Sequence, residues 1–107
     1  MSELFGLVVR FTLKPGAGAS FDRLVETTAE QIKTSEPGTL IYTCHRVDGQ
    51  PDQRIFYELY ADRAAFDAHE AQPHVIRFLA ERAQYIASTE VDFLSIHTGK
   101  GIPGKVG

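Results

Sequence analysis

The apolar residues of this chain switch between strand spacing and helix spacing in a fixed order. Leu4–Leu13 (LFGLVVRFTL) is β-branched, aromatic and apolar, and Pro15-Gly16 ends it, which predicts a strand. From Ser20, placed to cap, Phe21, Leu24, Val25, Thr28 and Ile32 fall at helical spacing until Pro37-Gly38 stops the run. Thr39–Val47 (TLIYTCHRV) and Arg54–Ala61 (RIFYELYA) return to strand character across a loop over Asp48–Asp52, which predicts a hairpin. Asp62 can cap a short helix through Ala71. Pro73 suits the first turn of another, with Val75, Ile76, Leu79, Ala83 and Ile86 on one stripe. Thr89–His97 (TEVDFLSIH) is the last predicted strand.

The order is β-α-β-β-α-β with its second helical section split. That is the ferredoxin-like α+β arrangement, a four-stranded antiparallel sheet with helices on one face. At 107 residues the chain has room for one domain, expected over residues 1–99, with residues 100–107 (KGIPGKVG) as a flexible tail. In the first strand Phe5, Leu7, Val9, Phe11 and Leu13 point one way, and Ile55, Tyr57, Leu59 and Ala61 share a parity in the third. Leu4, Val8, Phe56 and Tyr60, of opposite parity, are also apolar. Helices cover only one face of such a sheet, so the other is expected to be covered by a second copy in a homodimer.

Composition excludes several classes. The net charge is −3 and the eleven Lys and Arg residues are scattered, so no nucleic-acid partner is expected. The longest apolar run is interrupted by Arg10, too short for a membrane span. Met1-Ser2-Glu3 lacks the start of a secretory signal, and Cys44 is the single cysteine, which together predict a cytoplasmic protein. GxGxxG and GxxxxGK[ST] loops are both absent.

The stretch HEAQPH (residues 69–74) comes within one residue of the H-E-x-x-H zinc helix. Five positions separate His69 and His74, which on a helix turns them apart by roughly 140°, and Pro73 interrupts the helix between them. A zinc helix needs its histidines four apart on one face, so no metal site is predicted. His69 alone is a better candidate. It follows Phe66 by three, on the face expected to meet the sheet, and a neutral imidazole can take a phenolic proton. It could equally be a core histidine hydrogen-bonded to a carboxylate. Glu58, mid-strand between aromatics, needs a partner; Arg10 and His69 are available. It either fixes the sheet or orients His69 as a base. His74 is placed at the start of the last helix. Tyr42, Tyr57 and Tyr60 could wall a planar ring, though core packing is the commoner use of such residues.

EPGTLIY (36–42), RIFYELYADRAAFDAH (54–69) and QPH (72–74) together resemble the antibiotic biosynthesis monooxygenase family. The resemblance implies a dimeric α+β barrel of two back-to-back sheets and a pocket between helices and strands. With that pocket, the expected site residues are His69 and Glu58 as the catalytic pair, with Tyr60, Phe66, Tyr42, Arg10 and His74 at the substrate. Activities across the family range over cofactor-independent oxygenation of quinols and polyketide aromatics, haem degradation and isomerisation of a phosphorylated autoinducer. Tyr60 stands where members commonly carry tryptophan, and the chain has neither tryptophan nor asparagine, residues on which haem degraders rely. The expectation is therefore oxygenation of a quinol or small polyphenol with O₂ and no cofactor. The alternatives are a non-catalytic dimeric binding or stress protein, and an isomerase of a phosphorylated sugar-like compound with Arg10, Arg46 or Arg54 in its pocket.

Overall fold

The computed structural model describes residues 3–103. Seven elements follow in order: β1 (Phe5–Leu13), α1 (Gly18–Ser35), β2 (Thr39–Val47), β3 (Gln50–Tyr60), α2 (Arg63–Glu70), α3 (Pro73–Glu81) and β4 (Ile86–Leu94), with a 3-10 turn at Arg82–Gln84 before β4. All strand pairs are antiparallel and the sheet order is β2-β3-β1-β4. This is the ferredoxin-like βαββαβ fold. Among the described residues no helix is long and apolar enough to cross a membrane. Residues 95–103 carry no helix or strand, and residues 104–107 of the expected tail lie outside the described residues.

The β1–β3 register decides which side chains meet the helices. Leu7 pairs with Glu58 and Val9 with Phe56, so the odd residues of β1 share a face with the even residues of β3. Phe56 and Tyr60 therefore belong to the helix-covered core, not to the open face as their parity alone predicted. They are buried with Leu7, Val9, Phe11 and Leu13. From above, α1 adds Phe21 and Val25 and α3 adds Phe78. Phe11 and Phe56 meet edge to face, with centroids 5.4 Å apart, the arrangement aromatic quadrupoles favour. On the open face Val8, Arg10, Ile55 and Tyr57 are half-buried.

Turn chemistry moves several expected boundaries. Gly16 takes a positive φ of 79° and the Ala17 amide donates to the Lys14 carbonyl, a turn with Pro15 and glycine where a type II turn wants them. The chain is thus already reversed at Ala17, and α1 starts at Gly18 with no side-chain cap; Ser20 lies inside its first turn. Gly49, at φ 77°, lets Asp48-Gly49 close the hairpin alone, and β3 pairs from Gln50 rather than from Arg54. Ala83 falls in the 3-10 turn and Ile86 in β4 opposite Leu13, so the last strand runs three residues earlier than predicted. On α3 the buried set is His74, Val75 and Phe78, while Ile76 is 55% exposed.

The helices leave β4 uncovered. Val91 and Phe93 pair with Val9 and Leu7 and so share their face, yet they are 45% and 63% exposed.

Candidate active site

The EPGT segment ends α1 and starts β2. The Glu36 amide donates to the Ile32 carbonyl, the Thr39 amide to the Glu36 carbonyl and the Ala61 amide to the Gly38 carbonyl. Gly38 is required by close approach: a Cβ there would stand 2.7 Å from Cβ of Ala65. The segment is thereby pressed onto α2, and the Glu36 side chain, only 3% exposed, is turned inward.

Three groups converge on that carboxylate. Thr39 Oγ1 donates to Oε1 at 2.7 Å, His69 Nδ1 lies 2.6 Å from Oε1, and His74 Nε2 lies 2.5 Å from Oε2. Two helix starts deliver the histidines. Asp62 caps α2 by accepting the Ala65 amide at 2.8 Å, as its sequence position predicted, and Pro73 occupies the first turn of α3, leaving His74 one residue inside. HEAQPH is thus the junction of two helices, and its two imidazoles share the Glu36 carboxylate. Among the described residues no group of three His, Cys, Asp or Glu is placed to hold a metal ion.

Burial works to raise the Glu36 carboxyl, but the hydrogen bonds from Thr39, His69 and His74 outweigh it and hold the group below its ordinary value. Glu36 is therefore a carboxylate, and a carboxylate only accepts. His69 Nδ1 and His74 Nε2 must both carry hydrogens. In a neutral His69 this fixes the tautomer and leaves a lone pair on Nε2.

That nitrogen points away from Glu36, toward Glu58, with Oε1 at 3.9 Å. The Tyr60 hydroxyl donates to the same oxygen. Burial pushes the Glu58 carboxyl up, against the opposing effects of the Tyr60 hydrogen bond and of His69. Burial, reinforced by the Glu58 charge, holds the Tyr42 and Tyr60 hydroxyls above their ordinary range, so both stay protonated. The imidazole lies among aromatic rings, with centroids 5.1 Å from Tyr60 and 5.8 Å from Tyr42.

Beside this pair is a cavity of about 160 Å³. Tyr42, Glu58, Phe66 and His69 line it, with Leu7, Val9 and Phe78 as its floor and Thr89, Val91 and Phe93 of β4 on the open side. Four of the seven expected site residues are thus brought together. Tyr60 stands behind Glu58 as its hydrogen-bond donor. His74 does not line the cavity, because its ring is spent on Glu36. Arg10 is a correction: the register places it opposite Ile55, on the other face of the sheet from Glu58, where it donates to Gln53 at 3.1 Å. Arg46 and Arg54 are also elsewhere, both bound to Asp22.

Two residues escaped the sequence reading. Glu36 was visible as part of a motif but had no assigned role. Arg82, just past α3, also lines the cavity, with its guanidinium over the Phe11 and Phe78 rings at 5.0 and 5.7 Å.

A ferredoxin-like sheet with a carboxylate-held imidazole facing a ring-sized cavity is the frame of a small-molecule protein. The sequence narrows this further: residues 4–81 match the antibiotic biosynthesis monooxygenase family, and the chain belongs to it. Among solved structures, a candidate antibiotic biosynthesis monooxygenase of Caulobacter crescentus is similar with a TM-score of 0.85 and 22% identity, covering 91% of this chain and 92% of that one. A Pseudomonas aeruginosa protein gives 0.83 at 22%, covering 92% and 98%. One from Mycobacterium tuberculosis gives 0.83 at 19%, covering 92% and 99%. At these identities the likeness is one of fold. No curated protein matches the sequence.

Proposed function

We propose that this protein is a monooxygenase of small phenolic rings, quinols above all, using O₂ and no bound cofactor. One observation carries the reading: His69 is held at Nδ1 by Glu36 and turns a basic Nε2 toward the cavity that Glu58 also faces. A quinol placed there loses its hydroxyl proton to Nε2. The resulting phenolate is electron-rich enough to reduce O₂ directly, and the apolar floor keeps water from competing for it. Glu36 stabilises the imidazolium from one side and Glu58 from the other. Tyr42 and Phe66 hold the ring.

The protein acts as a homodimer in this reading. Val8, Ile55 and Tyr57 on the open face, with Leu94 at its edge, supply the apolar surface for a second copy. Oxygen consumption with a panel of quinols tests the activity. Uptake that depends on both quinol and protein supports it, and no uptake with any of them would leave a binding role.

A further inference from the structure

We infer that the cavity beside His69 is built for a ring that carries a carboxylate, a hydroxybenzoate-like monoanion whose charge is met by Arg82. This rests on the proposed reading only for the placement of the ring hydroxyl at His69; the anion site is argued separately.

Arg82 differs from every other arginine among the described residues. Arg10 donates to Gln53, Arg23 to Ser20, Arg63 to Asp67, Arg77 to Gln31, and Arg46 and Arg54 to Asp22. Arg82 has no hydrogen-bond or ion-pair partner among the described residues. It is nonetheless half-buried, laid over Phe11 and Phe78. Glu58 and Glu70 line the same cavity without forming an ion pair with it. Burial accordingly pulls the guanidinium below its ordinary value. Its nitrogens keep contact with water, so they are free to take an ionic ligand, and the planar fork matches a carboxylate with two parallel hydrogen bonds.

Size and charge narrow the ligand. A cavity of about 150 Å³ takes one benzene ring, close to the volume here, so the site suits a single ring. Tyr42, Phe66 and Phe78 give the ring aromatic walls. A single cation beside Glu58 and Glu70 cannot offset the two charges of a phosphate dianion, which weighs against the phosphorylated-sugar alternative. The hydroxyl end then lies at His69 and Glu58, and the acid end at Arg82.

The test is binding of benzoate against benzamide, its neutral isostere, to the full chain, followed by calorimetry or protein-observed NMR. Neither probe is oxidised, so the result is independent of turnover. The expected result is benzoate bound at least about tenfold more tightly, as a charge-assisted contact provides, with the preference lost in Arg82→Gln and partly kept in Arg82→Lys. Equal binding of the two probes by the unmodified protein overturns the inference, whether or not Arg82→Gln folds. So does a preference unchanged in a folded Arg82→Gln. Benzoate preference without O₂ uptake on dihydroxybenzoates or hydroquinone would remove the oxygenase reading and uphold this one; uptake with equal probe binding would do the reverse.

Discussion

Glu36 and His69 are 33 residues apart in sequence, yet Oε1 of one and Nδ1 of the other lie 2.6 Å apart in the interior. This contact ties the end of the first helix to the helix that carries the base, and it decides which imidazole nitrogen is available to a substrate. The same carboxylate holds His74 and Thr39, so its loss is felt by three partners at once.

Glu36→Gln should therefore weaken the fold as well as the site. A glutamine amide offers one accepting oxygen and a nitrogen that only donates, while all three neighbours are donors. A buried donor left without an acceptor costs about 1–3 kcal/mol, to be read from urea unfolding at neutral pH. The pH dependence has a definite sign. The folded carboxyl titrates below its ordinary 4.5, so its contribution is present above that value and is lost as pH falls through the folded value. The gap between the unmodified protein and the variant should shrink in acid. A gap that stays constant down to low pH would show that Glu36 is not the ionised hub.

Tyr60→Phe removes the hydroxyl that donates to Glu58 and keeps the ring. That hydrogen bond lowers the Glu58 carboxyl against burial, so its loss should move the Glu58 titration, followed by carboxyl NMR, to higher pH. A raised folded value contributes stability that is fully present below the ordinary 4.5 and is lost as pH rises through the folded value. The variant's deficit, about 1.5–3 kcal/mol for a hydrogen bond to a charged group, should therefore be largest above the Glu58 titration. An unshifted Glu58 titration in the variant would contradict this.

The elements were legible because their signals are local. Asp62 as a cap, Pro73 in a first turn and the alternation of β1 depend on neighbours a few residues away. The face assignments were not, because they depend on register: parity within β3 says nothing about which face is covered until Val9 is seen opposite Phe56. The stretch Ala83–Ile86 fits a helix stripe and a strand start equally well, and the 3-10 turn decides between them. Glu36 reads locally as the polar end of a helix. Its partners lie 33 and 38 residues on, and no spacing rule links them. Arg82 was missed for the opposite reason: a charged residue after an amphipathic helix reads as solvated surface, and only the uncovered β4 edge leaves it facing a cavity.

Light scattering at micromolar concentration should give twice the chain mass, with more than about 1,000 Å² buried in total between the copies. Tyr57→Asp, which puts a charge on the open sheet face, should shift the equilibrium to monomer. A monomer mass for the unmodified protein would remove the sheet-to-sheet pairing.

The central claim is that His69 Nε2 is the base, and the variant that isolates it is His69→Asn. An asparagine amide keeps a donor near the position of Nδ1, for Glu36, and deletes Nε2 altogether. The measurement is quinol-dependent O₂ consumption by His69→Asn, in protein shown by thermal unfolding to be folded. The account predicts a rate lower by about 10²–10⁴, the usual worth of a positioned base. An undiminished rate in the folded variant would contradict it.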